Sequence, residues 1–252
     1  MRNTRALKRP VEVAREAERQ LARRARPAGE FDASRYFRGS HDLGFYNVGT
    51  ATVRAIARGI ARDRKGAWGV GEAMAFAEPL IDNRYLEAKS LAIELVACYR
   101  RAFTPSLLPA WKRWLADGQA SNWAATDAIC GQLIGPLLVA HPALSSQMRA
   151  WARHRVLWVR RAAAVSLIPS VRKGQLLDLA YEVAEALHPD REDLIHKAVG
   201  WLLREAGKTD QPRLERYLRA HGPAIPRTTL RYAIERFPPG KRKAVLRETK
   251  EA

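Results

Sequence analysis

Apolar residues recur along the chain at intervals of three and four, which is the spacing of one face of an α-helix. Proline or glycine stands in the breaks between these runs, as at Pro105, Pro142 and Pro189, and runs of alternating β-branched residues are missing. The pattern predicts an all-α protein built from short helices.

A repeat emerges when alanines are taken as anchors. The anchors are separated by 37, 37, 37, 36 and 35 residues and are Ala51, Ala88, Ala125, Ala162, Ala198 and Ala233. Five of the six units carry an apolar residue three positions before the anchor, and five carry one four positions after it. Each unit thus repeats a helix whose apolar stripe must be buried against its neighbours. The spacing predicts a HEAT-like helical-repeat solenoid of about six helix pairs with a concave basic face. A generic helical bundle is the alternative.

Three regions are expected from composition. Residues 1–30 form a basic helical extension, residues 31–240 the repeat domain, and residues 241–252 a charged tail. With 47% hydrophobic residues, the chain has enough apolar material for a core.

The charge balance points to a polyanionic partner. Lys and Arg number 44 against 26 Asp and Glu, a net charge of +18, so nucleic acid is the first expectation and an anionic membrane surface the second. Two cysteines exclude a disulfide framework and a Cys-rich zinc site, and the six histidines show no metal spacing. No apolar run reaches the length of a membrane span and no secretory signal is present, so we expect a cytoplasmic protein that uses no metal.

One stretch of the chain concentrates this positive charge. No acidic residue stands between Asp127 and Asp178, where the cations are Arg149, Arg153, Arg155, Arg160, Arg161, Arg172 and Lys173. A solvated helix face usually carries both signs, so the stretch is a candidate contact surface for phosphates.

Repeat coordinates place several chemistry-bearing residues on one helical face. At 100° per residue they fall roughly 160° to 300° from the anchor alanine, opposite the buried stripe. They are Trp123, Asp127, Arg161, His196, Lys197, Trp201, Arg204 and Lys208. Indoles beside a carboxylate and several cations suit a cleft that grips a phosphate backbone and stacks on sugar or base. An ionised Asp127 could stabilise the oxocarbenium-like sugar that forms when an N-glycosidic bond breaks.

Three motifs on this face resemble those of the bacterial AlkD family of DNA alkylation-repair glycosylases. They are Ser121-Asn-Trp123-Ala-Ala-Thr-Asp127, Trp158-Val-Arg160-Arg161-Ala-Ala, and His196-Lys-Ala-Val-Gly-Trp201-Leu-Leu-Arg204-Glu-Ala-Gly-Lys208. The resemblance runs from roughly Tyr36 to Phe237. It implies a solenoid that removes cationic N3- and N7-alkylated purines from duplex DNA in base excision repair, without a cofactor or a deep base pocket, and acts as a monomer.

The resemblance also implies roles for the matching residues. Asp127 would stabilise the oxocarbenium ion and position water, and Trp123 and Trp201 would pack against the lesion's deoxyribose. Arg161 would hold the neighbouring phosphate. Further DNA contacts are expected from Tyr36, Thr50, Arg54, Arg58, Arg160, Lys197, Arg204 and Lys208.

The N-terminal part of the match departs from the family. Asn47 stands where the family usually has glycine, Gly49 replaces a longer polar side chain, and Arg58 falls outside the common arc. Two other functions remain open: a non-catalytic module that binds bent or branched DNA, and a protein-interaction scaffold. The second explains the repeat but not the clustered positive charge.

The remaining tryptophans and cysteines are expected to serve packing. Trp111, Trp114 and Trp151 are predicted core residues, and no motif places Trp68. Cys98 and Cys130 have no histidine at a recognisable spacing and are predicted to pack in the interior.

Overall fold

The computed structural model describes residues 8–29, 37 and 43–249. Regular structure in these residues is helical, apart from an isolated parallel bridge between Gly44 and Tyr85, so the predicted all-α repeat fold is confirmed. The helices are α1 Pro10–Ala22, α2 Thr50–Asp63, α3 Val70–Ile81, α4 Leu86–Ala97, α5 Leu108–Ala116, α6 Trp123–Ile129, α7 Gly135–Ala140, α8 Met148–Trp151, α9 Leu157–Val165, α10 Ile168–Val171, α11 Leu177–Leu187, α12 Asp193–Thr209, α13 Gln211–Ala220, α14 Arg227–Ala233 and α15 Pro239–Glu248.

The chain forms two compact units, one ending at Leu133 and one beginning at Ile134. In the first unit α4 packs against α2 and α3, while α1 lies against α3. In the second unit α12 is central and packs against α9, α11 and α14. The basic extension contributes Val13, Ala17 and Leu21 to the interior of the first unit. The domain limits near residues 30 and 240 stay predictions.

The repeat register holds at five of the six anchors. Ala88, Ala125, Ala162, Ala198 and Ala233 are buried. The exception is Ala51, which is exposed because α2 begins at Thr50 and the helix buries Val53, Ile56 and Ala57 instead. The anchor of this unit is therefore Ile56, five residues further along, and the prediction for Ala51 is wrong.

Ion pairs join residues that stand about one repeat length apart in the chain. Arg113 pairs with Glu78 at 2.9 Å, Arg172 with Glu205 at 2.9 Å, and Arg149 with Glu182 at 2.6 Å. The partners in each pair stand 33 or 35 residues apart in the chain. Helices about one repeat apart thus present complementary charges to each other.

Two glycines of α12 permit close packing by neighbouring helices. A Cβ on Gly200 would lie 2.4 Å from the Tyr232 Cβ and 2.8 Å from the Thr229 carbonyl oxygen. A Cβ on Gly207 would lie 2.3 Å from a methyl carbon of Leu214. The glycines of the third sequence motif are therefore required by packing, because no larger side chain fits.

The packing predictions hold for three tryptophans and one cysteine. Trp111, Trp114 and Trp151 are at most 1% exposed. Trp68 is also buried, with its ring 6.2 Å from that of Phe76. Cys130 is buried as expected, but Cys98 is exposed and its predicted interior position is wrong. It lies just after α4, where the helix ends at the surface.

One helical stretch of the described residues, Trp123–Ala140, is long and apolar enough to span a membrane by length and composition. The expectation that no run reaches this length is wrong here, because α6, a π-helical turn and α7 follow one another without a break at Pro136. Half of the stretch is buried inside the protein, as in a core helix, and it contains Asp127.

Candidate functional site

Helix α6 begins with a side-chain cap that fixes the first tryptophan of the site. The amide oxygen of Asn122, 1% exposed, accepts a hydrogen bond from the Ala125 backbone N–H at 2.9 Å. The buried Thr126 hydroxyl donates to the Ala120 carbonyl at 3.1 Å. These two bonds anchor the start of α6, so Trp123 occupies its first position.

Trp123 lies against another aromatic ring. Its indole stacks on Phe37, with ring centroids 5.1 Å apart and an interplanar angle of 7°. Phe37 also contacts Phe45, at 5.5 Å between centroids. Asp127 follows Trp123 by one helical turn, and both side chains are half-buried. Tyr36 lies outside the described residues.

A π-helical turn, Cys130–Ile134, follows α6 directly. Within it the Gln132 amide donates to Glu94 at 3.2 Å, and the same Glu94 oxygen accepts from the Arg54 guanidinium at 2.9 Å. The network connects the predicted DNA contact on α2 to the helical segment that carries Asp127. Such π turns are frequent at functional sites.

With Ile56 as the anchor of α2, the two arginines of this helix take new positions in the repeat. Arg54 and Arg58 stand two residues before and after Ile56, as Trp123 and Asp127 stand about Ala125. Arg58 therefore lies within the predicted arc, and both arginines are exposed. Thr50, at the start of α2, is exposed as well. Asn47 has a φ of 56°, a backbone conformation that glycine and asparagine adopt readily, so its departure from the family pattern keeps the local geometry.

A cleft of about 720 Å³ opens beside α6 in the first unit. Phe37 and Phe45 provide aromatic walls, and Ala128 and Gln132 belong to the segment that continues from Asp127. The rest of its lining is Arg26, Pro27, Gly29, Asn47, Val48, Gly49, Thr50, Val53, Arg54, Leu86, Glu87, Ser90 and Glu94.

In the second unit, α12 carries five of the predicted residues. Trp201 follows the packing-restricted Gly200 and is half-buried. The His196 ring contacts the Asp190 carbonyl at 2.6 Å, and Lys197 pairs with Asp193 at 2.7 Å. The hydrogen bond that Lys197 donates to the Asp193 carboxylate raises the pKa of Lys197, which keeps this amine charged.

Three cationic side chains surround the buried Glu205 near the C-terminal end of α12. It is 2% exposed, and it accepts from Arg172 at 2.9 Å and from Lys208 at 2.8 Å. Arg204 approaches it at 3.7 Å and also pairs with Glu235. Burial opposes ionisation of Glu205, but the hydrogen bonds from Arg172 and Lys208 outweigh it and lower the pKa of the carboxyl group.

The two arginines of the second motif are more enclosed than predicted. Arg161 is 5% exposed and donates to the Leu194 carbonyl, so its expected place on an exposed face is wrong. The physical reason is that α9 is buried at Val159 and throughout 161–165, so helical angle alone does not identify an exposed side. Arg160 pairs with Asp190 at 2.6 Å and donates to the His154 and Arg155 carbonyls.

The acid-free stretch is partly neutralised by acids from elsewhere in the chain. Three of its seven cations, Arg149, Arg160 and Arg172, pair with carboxylates that follow the stretch. Net charge in the sequence thus overstates the positive charge available to a ligand. In the part of the chain that the structure describes, no group of three or more His, Cys, Asp or Glu side chains could hold a metal ion.

Three residues of the site were not predicted from the sequence. Phe37 lies outside the helices and has no periodicity to mark it. Gln132 and Glu205 each stand seven residues after an anchor, on the apolar stripe. An acid on an otherwise apolar stripe is itself a signal, since a buried carboxylate needs cationic partners, and it could have identified Glu205.

Comparisons with known proteins identify the family and the fold. A family model for a DNA alkylation repair enzyme matches residues 17–237. Among solved structures, a predicted DNA alkylation repair enzyme from Enterococcus faecalis is 18% identical, with a TM-score of 0.70 over 79% of this chain and 91% of that chain. No curated protein matches the chain significantly. The structural likeness shows a shared helical fold, and because the family model covers most of the sequence, the chain belongs to the DNA alkylation repair enzyme family.

Proposed function

We propose that the protein is a monofunctional DNA glycosylase that hydrolyses the N-glycosidic bond of cationic N3- or N7-alkylated purines in duplex DNA. The observation that carries the proposal is Asp127, one helical turn from an indole that is stacked on Phe37. A carboxylate beside an aromatic surface suits a sugar that becomes oxocarbenium-like as the bond breaks. The family to which the chain belongs is described as a DNA alkylation repair enzyme, which supports a catalytic function.

Each residue then has a role in the reaction. Asp127 stabilises the developing positive charge and orients the attacking water, while Trp123 and Trp201 pack against the deoxyribose. An alkylated purine already carries a positive charge and leaves readily, so no general acid is required. The reaction needs no metal or organic cofactor, and we propose that the protein acts as a monomer in the cytoplasm.

Two of the proposed phosphate contacts come from cations whose carboxylate partners are exposed. Glu235, the partner of Arg204, and Asp193, the partner of Lys197, are 48% and 59% exposed. Exposed ion pairs contribute about 0 to 1 kcal/mol, so a DNA phosphate can replace these carboxylates at little cost. Arg54, Arg58, Thr50 and Lys208 complete the proposed contact set with Tyr36, Arg160 and Arg161.

A base-release assay tests the proposal. Duplex DNA carrying N7-methylguanine is incubated with excess protein, and free base is measured by chromatography. Release that depends on the protein supports a glycosylase. Binding of the same duplex without release supports the alternative, a non-catalytic DNA-binding module, and rejects the proposed activity.

A further inference from the structure

The cleft in the first unit presents unused hydrogen-bond acceptors beside aromatic walls. Glu87 is 9% exposed, and its Oε2 accepts from the Tyr46 backbone N–H at 3.0 Å. Within the described part of the chain, no residue donates to its Oε1. A ligand that enters the cleft with N–H donors therefore meets a carboxylate oxygen that is available to it.

Two amide side chains in the lining also present oxygen acceptors. The Asn47 amide donates to the Arg26 carbonyl at 2.9 Å, and the Gln132 amide donates to Glu94 at 3.2 Å. One N–H group of each amide is thus used by the protein, and the described residues donate no hydrogen bond to either amide oxygen, so both oxygens can accept from a ligand. Arg54 is paired with Glu94, so a nearby cation is already neutralised. Together with Glu87, the lining thus offers three side chains whose oxygens can accept hydrogen bonds from a ligand.

The aromatic walls favour a planar ligand. Phe37 lines the cleft and also stacks on Trp123, so a flat ring against Phe37 extends an existing stack. The volume of about 720 Å³ lies within the range of sites for small organic ligands. Ala128, the next residue after Asp127, forms part of the wall.

We propose that this cleft binds one donor-rich purine base, with alkylated guanine preferred over alkylated adenine, after the base has left the sugar. The N1–H and N2–H groups of guanine form a pair of donors that suits the Glu87 carboxylate, whereas 3-methyladenine offers only its exocyclic amine on that edge. The cleft is a product site, so the base does not enter it before the bond breaks. The inference rests on the proposed glycosylase function for the source of the base, but not for its binding.

Two glycines of the α2 segment provide a matched pair of variants. Gly49 lines the cleft, Gly59 does not, and a Cβ at either position would meet nothing within 4 Å. Neither glycine has a positive φ, so both accept a side chain without backbone strain. Gly49→Phe should fill the cleft, while Gly59→Phe adds the same group within α2 and away from the cleft.

Equilibrium dialysis of the whole protein with free 7-methylguanine tests the proposal. We expect a dissociation constant between about 0.1 and 1 mM for a ligand of this size. Gly49→Phe should weaken binding at least tenfold, Gly59→Phe should leave it unchanged, and Glu87→Gln should abolish the preference over 3-methyladenine. Absence of binding to the wild type, or equal binding by both glycine variants, overturns the product site. Base release from DNA by the wild type is measured separately, so a failure of the product site is distinguishable from a failure of the glycosylase.

Discussion

Trp123 and Phe37 stack with centroids 5.1 Å apart and rings nearly parallel, which joins a residue outside the helices to the first position of α6. The stack fixes the indole that stands one turn before Asp127. An aromatic pair of this kind contributes about 0.5 to 1.5 kcal/mol beyond its buried area. The orientation of Trp123 therefore depends on a residue 86 positions earlier in the chain.

The first prediction concerns this stack. Phe37→Ala should lower the single-turnover rate of base excision by about three- to tenfold, because the indole loses the ring that holds it. Phe37→Tyr preserves the stack and should keep a rate near that of the wild type. Equal rates for the alanine and tyrosine variants would show that the stack has no part in positioning Trp123.

The second prediction concerns the buried carboxylate of α12. Glu205→Gln should lower the free energy of unfolding by about 3 kcal/mol, because Arg172 and Lys208 lose the charge that compensates theirs. Glu235→Gln is the matched control, since Glu235 is about half exposed and its loss should cost no more than about 0.5 kcal/mol. Urea unfolding measures both values. Similar losses in the two variants would contradict the role assigned to Glu205.

The third prediction concerns pH and His188. Burial lowers the pKa of His188 to about 4, with smaller effects from His221 and His196, whereas an unfolded histidine titrates near 6.5. The unfolded chain therefore binds more protons between these values, and the stabilisation present above pH 6.5 is lost as pH falls towards 4. The loss should reach about 3 kcal/mol.

A non-titrating variant isolates this contribution. His188→Gln keeps a polar partner for the Tyr217 hydroxyl, which lies 2.7 Å from the histidine ring. The difference in unfolding free energy between wild type and variant should shrink as pH falls from 6.5 to 4. A difference that stays constant over this range would show that His188 does not change protonation on unfolding.

The fourth prediction separates an exposed arginine from a buried one. Arg58→Ala should reduce the slope of log binding constant against log salt by about one unit, as expected when one phosphate contact is removed. Arg161→Ala should reduce the slope by the same amount, because Arg161 is proposed to hold the phosphate next to the lesion. An unchanged slope for Arg161→Ala would remove Arg161 from the phosphate contacts and leave it as support for the Leu194 carbonyl.

Helical periodicity was sufficient to predict the fold because each repeat buries the same stripe. The predicted anchor is wrong in α2, where Ala51 lies in the first turn and Ile56 takes the buried position. Sequence spacing alone does not show at which residue a helix begins. The exposed position of Arg161 could not be excluded either, because burial of α9 depends on the elements around it.

The candidate site was predictable to a similar extent. Trp123 and Asp127 followed from their spacing on one helix, and the structure places both at intermediate exposure. Phe37 and the cleft depend on contacts between residues far apart in sequence, for which the pattern holds no signal. Glu205 could have been found, since its position on an apolar stripe demands cationic neighbours.

The role of Asp127 is the central claim, and its asparagine variant tests it most directly. Single-turnover release of N7-methylguanine from duplex DNA is measured for wild type and Asp127→Asn at saturating protein, together with the dissociation constant of each for the same duplex. We predict that Asp127→Asn lowers the excision rate by about a hundredfold or more while the dissociation constant changes little, because the lost charge faces the developing cation. An excision rate near that of the wild type, or equal losses in binding and excision, would contradict the account.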